Sequence, residues 1–121
     1  MALVHLSYDA KNSADSDQLR HDIPKKFLEA KRGIVDFSEP ARSTFRFVIN
    51  ESAVDCQWIR DVMSQFEHRC YFFISACDSY ADKGKGQSLW PSLTRANRAL
   101  NDSFQKILET IKQEIVKSTC S

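Results

Sequence analysis

The chain has 121 residues, 42% of them hydrophobic and 27% charged, with 17 basic against 16 acidic side chains. That is the size and balance of one globular domain, too short for two cores and too apolar for wholesale disorder. A formal net charge of +1 excludes a global electrostatic drive toward nucleic acid, so any such binding needs a local patch.

The first element is a strand over Leu3 to Asp9. Side chains along a strand alternate, so Leu3, His5, Ser7 and Asp9 share one face and Val4, Leu6 and Tyr8 the other. The polar loop Ala10-Lys11-Asn12-Ser13 follows. Ser13 or Asp15 then caps a helix that turns Leu19, Ile23, Phe27 and Leu28 inward. Pro24 predicts a kink or break inside it, and Gly33 suits its left-handed cap. Gly33 to Phe37 reads as a second strand and Ser38 to Ser43 as a turn or short loop. Thr44 to Asn50, rich in aromatic and β-branched residues, is the clearest strand of the chain.

A second helix starts at Ser52 or Glu51 and runs to about His68, with Val54, Trp58, Ile59, Val62 and Phe66 as its buried stripe. Tyr71 to Cys77 forms a fourth strand, apolar enough to lie inside a sheet. Residues 78–90 read as a flexible polar loop and 91–117 as an amphipathic helix. Pro91 sits in the first turn of that helix, and Leu100, Phe104, Ile107, Leu108, Ile111 and Ile115 form its stripe. The order predicts one α+β domain, a ferredoxin-like βαββαβ sandwich: two helices on one face of a four-stranded antiparallel sheet, plus an extra long C-terminal helix.

No apolar run approaches the ~20 residues of a membrane span. Met1-Ala2-Leu3 enters a strand without the basic start and apolar centre of a signal peptide. These features read as a cytoplasmic protein with no membrane partner. Cys56, Cys70, Cys77 and Cys120 have neither CxxC spacing nor a histidine arrangement for zinc, and read as free thiols.

Four groups carry candidate chemistry. Asp9, at the exit of the first strand, is either a metal ligand or an acid that orders the strand-to-helix loop. Phe45 and Phe47, near Tyr8, form either a base-stacking platform or part of the core. Arg42 and Arg46 flank a sheet edge and suit phosphate, and Lys11 is a further nucleic-acid-binding candidate; a solvated mixed-charge surface is the alternative. Lys83-Gly84-Lys85-Gly86-Gln87-Ser88 lacks the spacing of a phosphate loop. His5, His21 and His68 are scattered and suggest no catalytic pair.

The order of elements and the Leu6-Ser7-Tyr8-Asp9 strand end resemble a group of small ferredoxin-like proteins: the small subunit of the CRISPR spacer-integration complex, virulence-associated protein D and the GhoS-type RNA-cleaving antitoxin. The likeness covers residues 3–77, and Tyr8-Asp9 is its sharp motif. The resemblance implies a homodimer in which Asp9 meets its symmetry mate around magnesium and activates water for phosphodiester cleavage. Ser7 or Tyr8 would shape that site. The function expected is a nucleic-acid-directed protein acting on RNA or DNA, most concretely a metal-dependent endoribonuclease. The alternative is a non-catalytic interaction module, antitoxin-like or phage-encoded, that binds a protein through the terminal helix.

Overall fold

The computed structural model describes residues 1–78 and 95–120. The segment containing Lys83 to Ser88, and the helix start placed at Pro91, lie outside the described residues. Among the described residues the elements are β1 (Ala2–Ala10), α1 (Ser16–Glu29), β2 (Ile34–Ala41), β3 (Thr44–Ile49), α2 (Gln57–Ser64), β4 (Cys70–Asp78) and α3 (Arg95–Cys120), with short 3-10 turns before α1 and α2. The sheet is ordered β2-β3-β1-β4 with every pair antiparallel, the ferredoxin-like arrangement with an added C-terminal helix.

Strand parity decides the two faces of the sheet. The register sets Val4 against Phe47 and Leu6 against Phe45 on one side, and Leu6 against Ile74 and Tyr8 against Phe72 on the other. These residues therefore share one face, and the helices cover it. Leu19, Ile23 and Phe27 of α1, Ile59 and Met63 of α2 and Phe104, Leu108 and Ile111 of α3 are buried there. Five phenylalanines interlock at its centre. Phe37 stacks on Phe47 at 5.1 Å between centroids, and Phe104 meets Phe45 at the same distance. Phe27 packs 5.0 Å from Phe47.

Four expectations change. Helix α1 runs unbroken through Pro24, whose ring is buried beside Ile23 and Phe27. The proline removes one rung of the helix, and core packing on both sides holds the remainder. Ser38, Glu39 and Pro40 belong to β2, so the turn shrinks to Arg42 and Ser43. Helix α2 is shorter than read, and Val54 is 79% exposed because it lies in the 3-10 turn ahead of the helix, out of phase with the buried stripe. Finally, β4 is an edge strand. Its apolar residues reflect one packed face and one open face carrying aromatics, and the central positions go to β1 and β3.

Helix α3 lies against β2 and α1. Besides covering the sheet face, it closes the β2 edge. Asn101 Oδ1 accepts from the Glu39 amide at 2.9 Å, and Gln105 Nε2 donates to the Phe37 carbonyl at 3.0 Å. These side chains satisfy backbone groups that an edge strand otherwise leaves open to other chains. The apolar stripe of the helix is thus used within the chain.

Candidate nucleic-acid interface on the open sheet face

The face of the sheet opposite the helices carries Leu3, His5, Ser7 and Asp9 from β1, Thr44, Arg46 and Val48 from β3, and Tyr71, Phe73, Ser75 and Cys77 from β4. The register places Asp9 beside Tyr71, Ser7 between Thr44 and Phe73, and His5 between Arg46 and Ser75. Tyr71 is 66% exposed and Phe73 69%. Large apolar side chains on an unpacked surface mark interaction sites more often than stability determinants. The Lys11 ammonium lies 4.9 Å from the centre of the Tyr71 ring, a cation–π contact that fixes a positive charge at the end of this row.

Ser7 Oγ is 3.3 Å from His5 Nε2 and 3.5 Å from Thr44 Oγ1. This short polar chain offers donors and acceptors to anything lying on the face. The two-residue spacing of His5 and Ser7 on one strand face is the sequence signal for this pairing, which the spacing of the three histidines does not reveal. Arg46 reaches Asp36 at 3.7 Å from the same face.

Asp9 is exposed at the end of β1, and among the described residues no hydrogen bond or ion pair reaches its carboxylate. The loop-ordering role belongs instead to Asn12, whose Oδ1 accepts from the Ala14 amide at 3.1 Å. Asp15, at the start of α1, is held by Arg69 through bonds of 2.9 and 2.8 Å, which keep its carboxyl below the usual range. A magnesium ion takes its ligands at about 2.1 Å and uses one or two carboxylates, and among the described residues no group of three histidine, cysteine, aspartate or glutamate side chains assembles. One chain presents Asp9 alone.

The other predicted site residues fall elsewhere. Phe45 and Phe47 are fully buried under the helices, so of their two readings core packing holds and the stacking platform is corrected: the alternation that makes β3 conspicuous puts its aromatics into the core. Tyr8 also faces the helices, stacked 5.4 Å from Phe45, and cannot share a surface with Asp9 in the same chain. Burial and the nearby Glu39 charge push its phenol up to about 12. Arg42, in the β2–β3 turn, borders a cavity of about 110 Å³ with Tyr8, Ser16, Arg20, Glu39 and Ser43, away from Arg46 on the open face. Arg42 and Arg46 therefore do not converge on one phosphate.

That cavity abuts the one buried carboxylate named among the described residues. Glu39 is 1% exposed and takes three bonds from Arg20, with Nε at 2.9 and 3.1 Å and Nη2 at 2.7 Å. Burial raises the Glu39 carboxyl, and Arg20 opposes that rise. Arg20 Nη2 also donates to the Leu100 carbonyl at 3.0 Å, so the pair fastens α3 to α1 and β2. Sequence reasoning missed this contact because Glu39 sat in an apparent turn.

The three comparisons made with known proteins found no matching family, no matching curated protein and no matching solved structure. No helix among the described residues is long and apolar enough to cross a membrane.

Proposed function

We propose that the open sheet face binds single-stranded nucleic acid, with Tyr71 and Phe73 as the stacking rings. The observation that carries this reading is the exposure of those two rings at alternate positions of one strand, roughly 7 Å apart. Successive unpaired bases stack on such rings at about 1–3 kcal/mol each, independent of sequence. Lys11 supplies a phosphate partner at one end, and His5, Ser7 and Thr44 lie along the adjoining strands. With a net charge of only +1, binding rests on stacking more than on counterion release, so its salt dependence is shallow.

A fluorescence-anisotropy titration with a short labelled RNA strand in EDTA tests this. The wild type binds, and Phe73→Leu weakens binding about 5- to 150-fold, the equivalent of about 1–3 kcal/mol. Absence of wild-type binding to single strands of RNA and DNA refutes the reading.

Metal-dependent cleavage at Asp9 is the second reading, favoured by the exposed, unpaired Asp9 on the same face beside Tyr71. With Asp9 as the one protein carboxylate, the remaining magnesium ligands would be waters and substrate phosphates, or a carboxylate from a second copy. Incubation of RNA with magnesium, manganese or EDTA, alongside Asp9→Asn, separates binding from cleavage. Docking of a protein on α3 has less support, because Phe104, Leu108 and Ile111 are buried in the chain's own core.

A further inference from the structure

The two edges of the sheet are protected very differently. Strand β2 carries two register irregularities and Pro40, and its outward backbone groups at Phe37 and Glu39 are bonded by Gln105 and Asn101 of α3. Strand β4 is nine residues long, pairs with β1 without a register break, contains no proline or lysine and ends on its one charge, Asp78. Such an edge is a template for another strand.

The direction of its backbone groups follows from two bonds. Lys11 N donates to the Arg69 carbonyl at 2.8 Å, and Tyr8 N donates to the Ser43 carbonyl at 3.0 Å. Antiparallel ladders alternate, so the odd residues of β1 exchange bonds with β4 and the even ones with β3. Hence Tyr71, Phe73, Ser75 and Cys77 bond inward to β1, while Phe72, Ile74 and Ala76 point their N–H and C=O groups outward. Among the described residues nothing covers those groups.

We propose that β4 pairs antiparallel with β4 of a second copy, with the two-fold axis at Ile74, giving a continuous eight-stranded sheet. Ile74 is the midpoint of Cys70–Asp78, so this register engages every outward-facing position: Ile74 meets itself and Phe72 meets Ala76, each pair exchanging two N–H···O bonds. Side-chain size is complementary across the axis. On the open face Tyr71 meets Cys77 and Phe73 meets Ser75; on the helix face Phe72 meets Ala76. In these three pairs a large residue faces a small one, and Ile74 packs on its own copy at the axis. At the two ends Asp78 of each copy comes opposite Cys70 of the other, so the one charge of the strand meets no like charge across the axis. A groove of about 380 Å³ between α2 and β4, lined by Ile59, Phe72, Ile74 and Ala76, borders the same edge on the helix side, and the second copy covers it. The contact is isologous and closes on itself, which ends further strand addition at this edge.

The pairing goes beyond the nucleic-acid reading and stands without it. It gathers four exposed rings at the centre of one open face. It also separates the two Asp9 side chains by three strand spacings of roughly 4.8 Å and an offset of six residues, roughly 25 Å in all. Two ligands of one magnesium ion lie within roughly 4 Å of each other. The assembly therefore does not form a shared metal site.

Sedimentation equilibrium of the full chain, together with a cysteine cross-link, tests the proposal. The wild type sediments as a dimer. Ile74→Pro removes an outward N–H that β1 does not use and converts it to a monomer. Ser75→Lys, exposed in the single chain and set against Phe73 across the axis, also weakens the dimer and guards against misfolding of the proline variant. Tyr71→Cys places a thiol opposite Cys77 of the other copy and gives a covalent dimer on non-reducing gels. Wild-type Cys77 residues lie roughly 20 Å apart across the axis and give none. A monomeric wild type overturns the proposal. So does a dimer that survives both Ile74→Pro and Ser75→Lys and is not cross-linked by Tyr71→Cys, the pattern expected of copies packed face to face.

Discussion

Removing Arg20 isolates the buried carboxylate of Glu39. Arg20→Ala deletes three bonds to that carboxylate and the bond from Nη2 to Leu100, and leaves an acid that is 1% exposed without its cation. Breaking a buried pair from one side costs about 3–5 kcal/mol, because the remaining charge stays desolvated. At this chain length each kcal/mol lowers the melting temperature by roughly 4 °C, so the drop is about 12–20 °C at pH 7.5. The penalty depends on pH, with a definite sign. Burial already raises the folded-state pKa of Glu39, and loss of Arg20 raises it further. The ionised form is therefore the unfavourable one, and the penalty shrinks as pH falls and the carboxyl takes up a proton. Melting curves of both proteins, followed by circular dichroism at pH 7.5 and 4.5, give a wide gap at the first pH and a narrower one at the second. Arg20→Met combined with Glu39→Leu recovers most of the loss. An Arg20→Ala gap below about 1 kcal/mol, or one that does not change with pH, refutes the reasoning.

Three other outcomes follow from the same packing. Phe104→Ala, which empties the contact between α3 and the rings of Phe37 and Phe45, costs about 3–5 kcal/mol by urea denaturation. Asn101→Ala and Gln105→Ala together uncover the β2 edge and increase aggregation measured by light scattering, with a stability loss of about 1 kcal/mol per bond. Acid weakens the contacts of α1 with α3 and with Arg69. Lys25 and His21 hold the Glu114 carboxyl low; for Asp22, burial is outweighed by bonds from His21, Gln18 and Arg69; and Arg69 holds Asp15 low. Depressed carboxyls stabilise the fold above their unfolded values near 4 and lose that contribution as pH falls below them, so the melting temperature declines between about pH 4.5 and pH 3. Arg69→Gln flattens that decline.

The order of elements was legible because strand alternation and helical spacing are local properties. Leu3 to Asp9 and Thr44 to Asn50 each declared two faces, and the stripe through Phe104, Leu108 and Ile111 declared a helix with a partner to find. What pattern does not contain is the identity of the neighbour. Phe45 and Phe47 announce a face without saying whether helices cover it. Tyr71 to Cys77 announces apolar surroundings without saying that half of them are open. Glu39 shows the same gap for polar groups, since its partner Arg20 is fixed by the crossing of α1 over β2. The candidate surface is accordingly half legible: Ser7, Asp9, Arg46 and Lys11 stand out in the sequence, whereas the exposed rings Tyr71 and Phe73 lie on an edge strand whose pattern does not tell an open face from a packed one.

The most direct test of the account is an amide and aromatic NMR titration of the full chain with a single-stranded RNA decamer in EDTA. The account predicts perturbations at Tyr71, Phe73, Ser7, His5, Thr44 and Lys11, with α1 and α3 unaffected. Perturbations confined to the helical side, or none at saturating RNA, would contradict it.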